Sequence, residues 1–297
     1  MRIAVIESRA KIVRGDEVFD VADASAGSFG PDVQDVYDRW KEFRAWADSA
    51  DLGPGTAFAP ADCDSPTPRP RQIFGIGLNY RAHQVESGLP APSTPLVFAK
   101  FLSSVAPAVG ELILFTDQVD WEAEAAVVIG AVARNVNEAD AWDYVAGVTA
   151  AQDYSARDIQ MLPAGTPQFS LGKSFPGYTP LGPVLVSPDE FDNPDDIPVS
   201  CSINGRVVQS SRTGDMIFSV GELIAYLSAI LPLLPGDVIL TGTPSGVALG
   251  MKPPQYLRAG DRITTVVGDQ TQHHLAVAPS SSGAPASVHA SRKDLLK

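Results

Sequence analysis

The 297 residues predict an α+β, β-rich fold, and two features of the pattern lead there. Short apolar runs, among them EAAVVIGAVA, GPVLVS, IPVSCSINGRVVQ and DVILTGT, recur between clusters of Pro, Gly, Asn and Asp. Helical spacing is confined to a few segments and never alternates regularly with the strands, so a repeating βαβ array is excluded. Gly and Pro, 25 of each, are spread along the chain, as short strands joined by tight turns require.

In chain order, MRIAVI reads as a strand, and a second is expected around Ile12 to Val21. From Asp32 to Trp46 the spacing is helical, with Val33, Val36, Trp40, Phe43 and Ala47 on one side. In PADCDSPTPRPRQ, Pro60, Pro66, Pro68 and Pro70 forbid a continuous helix or central strand. Residues 1–70 are therefore expected to form a small N-terminal α/β subdomain that ends in a linker. The main domain, residues 71–278, opens with IFGIGLNY, a buried strand ending in glycines. SINGRVVQ carries an Asn-Gly pair between alternating segments, a hairpin signal. GELIAYLSAI places Leu223, Ile224, Leu227 and Ile230 on one helical face, and Asp140 to Val145 suggests a shorter helix. Residues 279–297, rich in Ser and Ala, predict a disordered tail.

A formal net charge of −13 opposes binding to a phosphate backbone, so nucleic acid is not an expected partner. Nor is a membrane: no stretch reaches the roughly 18 uninterrupted apolar residues of a spanning helix, and no Lys/Arg run marks a surface-binding segment. MRIAVIESRA lacks the apolar core of a signal peptide, and the expected compartment is the cytoplasm. Cys63 and Cys201 make neither a zinc cluster nor a disulfide framework. The histidines are His83, His273, His274 and His289, the last three at or beyond the end of the recognisable fold. A metal site in the body must then use oxygen ligands, which favours Mg²⁺ or Mn²⁺ over Zn²⁺.

VDWEAEAAVVIG is the most informative segment. On a strand, Asp120, Glu122 and Glu124 project from one face, and the VVIG that follows is apolar enough to be buried. Carboxylates crowded against a core require a compensating cation, whereas the same alternation on an exposed edge strand needs none. A second acidic motif, AAQDYSARDIQ, ends a strand at Asp153 and supplies a third oxygen ligand. Glu122, Glu124 and Asp153 are the candidate metal ligands. Arg157 and Gln160, three apart on a helical turn, could point together at a substrate oxygen or be ordinary surface groups.

GLNYRAHQVESG sets His83 and Glu86 three residues apart, so that on one helical turn the carboxylate can orient the imidazole as a general base. The same spacing also occurs on turns without a role. LGKSF carries Lys173 next to a glycine. LTGTPSG ends a buried strand in a turn of small residues, whose amides could receive an anionic oxygen or simply close a turn.

Taken together and in this order, GLNYRAHQVESG, VDWEAEAAVVIG, AGVTAAQDYSARDIQ, GKSF, PLGPVLV, INGRVVQ, DMIFSVGELIAYLS and PGDVILTGTP resemble the fumarylacetoacetate hydrolase family over residues 73–265. The resemblance implies that family's mixed β-sandwich roll, a homodimer, and Mg²⁺ or Mn²⁺ on Glu122, Glu124 and Asp153. It further implies a water-activating dyad, His83 and Glu86, on a segment that closes as a lid. Arg157, Gln160 and Lys173 would stabilise negative oxygen, and Tyr80, Thr241, Gly242 and Thr243 would contact the substrate. That substrate would be a small oxo acid or dicarbonyl compound able to chelate the metal. The first activity implied is hydrolysis of a C–C bond in an acylpyruvate or related 1,3-diketo acid. A decarboxylase or a hydroxydienoate isomerase on the same scaffold is the alternative, and a catalytically silent protein is a third. Three departures from the family's pattern stand out: Pro176 after GKSF, Arg212 in QSSRTGD, and the ending DQTQHHL.

Overall fold

Seven successive buried residues, Ala123–Ile129, make the continuation of the acidic segment an interior strand of the main sheet. The computed structural model describes residues 1–161 and 166–279, so the expected C-terminal tail lies outside the described residues except for Pro279. In spatial order the ten-stranded sheet runs Thr56–Ala57, Glu17–Asp20, Arg9–Arg14, Arg2–Ile6, Leu185–Val186, Val145–Gln152, Ala123–Ile129, Val238–Leu240, Ile73–Gly77 and Leu96–Ala99. Within this sheet, among the described residues, only Val238–Leu240 and Ile73–Gly77 pair in parallel. A five-stranded sheet, Arg206–Arg212, Pro198–Ile203, Arg262–Val267, Gln270–Val277 and Val109–Ile113, covers one face.

Alternation along Ala123–Ile129 divides the core in two. Ala123, Ala125, Val127 and Ile129 join Val199, Cys201, Ile263 and Ala276 of the five-stranded sheet. Ala126 and Val128 turn the other way, toward Ile3, Ile12, Val36, Trp40 and Phe43. Full burial of such aliphatic and aromatic side chains stabilises by about 1.5–3 kcal/mol each, so this strand is fixed from both sides. Its acidic end is held at the sheet's margin by the same packing.

The predicted architecture, α+β and rich in strand, is the one observed. Differences lie in detail. The expected second strand is two strands, Arg9–Arg14 and Glu17–Asp20, because Gly15 at φ +58° reverses the chain between them. The helical run divides into Val33–Asp38 and Trp40–Ala47, since Arg39 leaves helical geometry at φ −124°. The proline-rich run is strapped across the first strand, with Asp64 N donating to Val5 O at 2.8 Å and Cys63, Ser65 and Thr67 buried. The short helix foreseen from Asp140 is a 3₁₀ segment, Glu138–Tyr144. DQTQHHL lies within the closing segment and supplies most of the strand Gln270–Val277, so its unusual composition leaves that strand in place. The Asn204–Gly205 hairpin forms as read, with both residues at positive φ. No helix among the described residues is long and apolar enough to cross a membrane.

Candidate active site

Two neighbouring strands and the breaks at their ends build the site. The acidic strand is interrupted at Trp121 and Glu122, between the short strand Val119–Asp120 and Ala123–Ile129. Beside it, Val145–Gln152 ends one residue before Asp153, whose N–H donates to Glu122 O at 2.9 Å. Gln152 accepts the Glu122 N–H at 2.8 Å, so both strand ends are locked where the ladder stops. The result is a cluster in which one carboxylate oxygen each from Glu122, Glu124 and Asp153 lies within 4.8 Å of the others. All three side chains are buried.

Three cations share this pocket. Lys173 donates to Glu122 at 2.6 Å and to Asp153 at 2.7 Å. Lys100 pairs with Asp153 and donates to Tyr178 O at 2.9 Å. Arg157 spans Glu122 Oε1 at 2.6 Å, Asp120 Oδ2 at 2.8 Å and Gln160 Oε1 at 2.7 Å. Glu124 is treated differently. It accepts one N–H, from Gly242 at 2.7 Å, and among the described residues it makes no ion pair.

The electrostatics follow. Burial acts to raise the Glu122 carboxyl, but Lys173 and Arg157 outweigh it and hold the group below its ordinary range. Glu124 is held well above its range by burial and by the charges of Asp153 and Glu122. Burial lowers the Lys100 ammonium despite Asp153. Lys173 goes up, because Asp153 and Glu122 overcome its burial. For Glu124 to ionise beside two other buried carboxylates, a further cation would have to offset its charge. Three hard oxygens at this spacing fit Mg²⁺ or Mn²⁺.

His83 and Glu86 sit on one turn of the helix Arg81–Ser87, with Nδ1 and Oε2 2.9 Å apart. The second Glu86 oxygen accepts the Gly246 N–H at 3.0 Å. Tyr80, just before that helix, is buried with a hydroxyl that has no hydrogen-bond partner among the described residues. Burial and the nearby charge of Glu124 push its phenol upward.

A sequence model of the family described as fumarylacetoacetate (FAA) hydrolase, C-terminal, matches residues 72–276. The chain belongs to the fumarylacetoacetate hydrolase family. It is 44% identical over 201 residues to the mitochondrial oxaloacetate tautomerase FAHD2A of Homo sapiens, an alignment covering 67% of this chain and 64% of that protein. A structure from Mycobacterium smegmatis, provisionally identified as HpcE, superimposes with a TM-score of 0.90 at 46% identity, covering 94% of this chain and 100% of that one. The maleylpyruvate hydrolase of Sphingobium sp. SYK-6, solved with manganese(II) and pyruvate, gives 0.77 at 25% identity, with 94% and 100% covered.

Within this fumarylacetoacetate hydrolase fold, some residues stand where the sequence pattern suggested and others do not. Asp120 leaves the cluster, because the break after it turns its carboxylate toward Arg157 and the N–H groups of Trp121, Ala248 and Leu249. Arg157 and Gln160 bind each other, and Arg157 spends its remaining reach on Asp120 and Glu122. The Thr241–Thr243 turn is tied to the acidic strand. Thr241 and Thr243 donate to Ala125 O and Ala123 O at 2.8 and 3.0 Å, and the Gly242 amide is taken by Glu124. Gly242 also must be glycine, since φ is +100° and a Cβ would lie 2.7 Å from Asn79 Cβ. Arg212 points away, to exposed Asp196 at 2.7 Å. Lys100 was not foreseen. Its signal was available, a lysine closing the apolar run PLVFAK, where only a paired charge can be buried.

Proposed function

We propose that this chain is a divalent-metal-dependent enzyme that enolises a small 2-oxo acid. The observation that carries it is the cluster of Glu122, Glu124 and Asp153, in which Glu124 lacks a cationic partner among the described residues. Mg²⁺ or Mn²⁺ held by these carboxylates would polarise the 2-oxo group and offset the charge that develops on its oxygen.

The protein's own groups supply the rest. His83 takes the proton from the carbon next to the oxo group, and the C–H electrons move to make the enolate. Glu86, 2.9 Å from His83, orients the ring and stabilises its protonated form. Lys173 uses two of its N–H bonds on Glu122 and Asp153, leaving one for the substrate. The Tyr80 hydroxyl, without a hydrogen-bond partner among the described residues, is assigned to a substrate oxygen. Returning the proton to oxygen yields the enol, a tautomerisation, and the similarity to the human oxaloacetate tautomerase favours that outcome. Because the chain aligns with 64% of that protein's length, the substrate is a proposal. A second reading, C–C hydrolysis of an acylpyruvate, is favoured by the likeness to the manganese-bound maleylpyruvate hydrolase. There His83 would activate water instead. Soluble, homodimeric and cytoplasmic behaviour belongs to this proposal as well.

The test is proton exchange in D₂O with Mn²⁺, followed by NMR at the carbon next to the oxo group of oxaloacetate and of an acylpyruvate. Acceleration that needs both Mn²⁺ and His83 supports the reading. No acceleration for either compound removes it.

A further inference from the structure

The helix Arg81–Ser87 carries the proton-transfer pair yet contributes no buried residue to the core. Something other than apolar packing must seat it. Among the described residues, its one side-chain hydrogen bond to a distant part of the chain is Glu86 Oε1 to the Gly246 N–H, at 3.0 Å. Gly250 lies against the same carboxylate, on the Oε1 side. A Cβ on that glycine would lie 2.4 Å from Glu86 Cδ and 2.6 Å from Oε1. Segment 246–250 is thus a socket shaped to the Glu86 side chain.

Asp120 and its neighbour hold that socket from the acidic strand. Buried Asp120 accepts the N–H of Ala248 at 2.7 Å on one oxygen and of Leu249 at 3.0 Å on the other. Trp121, the next residue, donates its indole N–H to Gly246 O at 3.0 Å. The remaining bonds of Asp120 go to its neighbour Trp121 N at 2.8 Å and to Arg157 Nε at 2.8 Å. Arg157 in turn grips Glu122 at 2.6 Å.

We infer that Asp120 is a positioning residue that sets the His83–Glu86 pair through the socket 246–250, with Gly250 kept free of a side chain so that Glu86 can enter. It rests on the reading of His83 and Glu86 as the proton-transfer pair. One carboxylate thereby ties the proton-transfer helix and the Glu122 ligand to a common anchor. Asn cannot replace it, because every bond at that position is accepted, and an amide NH₂ would face donors on whichever side it turned.

The test uses Asp120→Asn, Gly250→Ala and Glu86→Ala, with amide hydrogen exchange read on residues 81–87 and, as a control, on 123–129. Gly250→Ala disturbs only a flexible side chain, so it leaves the account testable if Asp120→Asn fails to fold. Losing a hydrogen bond to a charged group predicts exchange of 81–87 faster by about tenfold or more in both variants, with 123–129 unchanged. In a Glu86→Ala background, Gly250→Ala should add nothing, because the contact it spoils is gone. Unchanged exchange of 81–87 in Gly250→Ala overturns the inference, as does an equal effect of that change with and without Glu86. Because exchange is read without turnover, an inactive wild type would sink the proposed reaction while leaving this result to stand or fall alone.

Discussion

Replacing Glu124 by Gln separates the cost of a buried charge from the ion it is proposed to hold. The side chain is 2% exposed, accepts a single N–H, and lies beside two other carboxylates. Gln preserves the shape and can still accept from Gly242. Without a divalent ion, the variant is therefore expected to match or exceed the wild type, by zero to about 2 kcal/mol. At about 2 °C per kcal/mol for a chain of this size, that is a rise of at most about 4 °C. With Mn²⁺ at a hundred times its dissociation constant, the wild type gains about 2.7 kcal/mol, or roughly 5 °C. Outer-sphere partners are worth about 10–100-fold in metal affinity, so a direct ligand is worth at least about 100-fold. The same Mn²⁺ concentration then sits near the variant's own constant and gives about 0.4 kcal/mol, under about 1 °C. Calorimetric melting in EDTA and in Mn²⁺ measures all four states. A variant more than about 1 kcal/mol less stable than wild type in EDTA, or one that keeps the full Mn²⁺ shift, refutes the reasoning.

Three further outcomes are expected. His83→Ala should lower turnover by about 10²–10⁴-fold and leave the Mn²⁺-induced rise in melting temperature intact; turnover within about twofold of wild type would remove the dyad from the mechanism. Lys100→Met leaves Asp153 with Lys173 as its remaining cation, so melting in EDTA should show a loss of about 3 kcal/mol, at the low end for breaking a buried pair, that Mn²⁺ largely restores. His274 is buried, with its ring between Tyr154 Oη and Pro107 O, both at 3.3 Å. Burial, opposed by the Pro107 bond and aided by His273, holds it down at about 4 against an ordinary 6.5. The unfolded chain therefore takes up the proton first: stability is fully present above pH 6.5 and is lost as pH falls toward 4, by on the order of 3 kcal/mol. Urea unfolding of wild type and His274→Gln across that window should show a flatter dependence in the variant, and parallel curves would contradict the assignment.

The three carboxylates were legible in the sequence because strand alternation and an acidic strand end are local patterns. The fold class was legible for the same reason, through runs such as EAAVVIG and DVILTGT bounded by breakers. What stayed hidden depends on contacts far apart in the chain. The interruption at Trp121 and Glu122, which sends Asp120 to Ala248 and Leu249, has no marker within VDWEAE. Lys100 had a local signal in PLVFAK, but its partner did not: only the fold brings it to Asp153, 53 residues away. Arg157 and Gln160 were expected to face a substrate oxygen or solvent; they bind each other, and the Asp120 and Glu122 that claim the guanidinium lie 37 and 35 residues from it. The first strand shows the limit differently: its apolar pattern is plain, while its partner Leu185–Val186 in the main sheet could come only from tertiary pairing.

The central claim is met most directly by diffraction from crystals grown with Mn²⁺, recorded at the manganese absorption edge. The account predicts one strong anomalous peak per chain, bonded to oxygens of Glu122, Glu124 and Asp153. Fully occupied manganese elsewhere, with Glu122 and Asp153 still paired to Lys173, Lys100 and Arg157 and Glu124 bonded to the Gly242 amide, would contradict it.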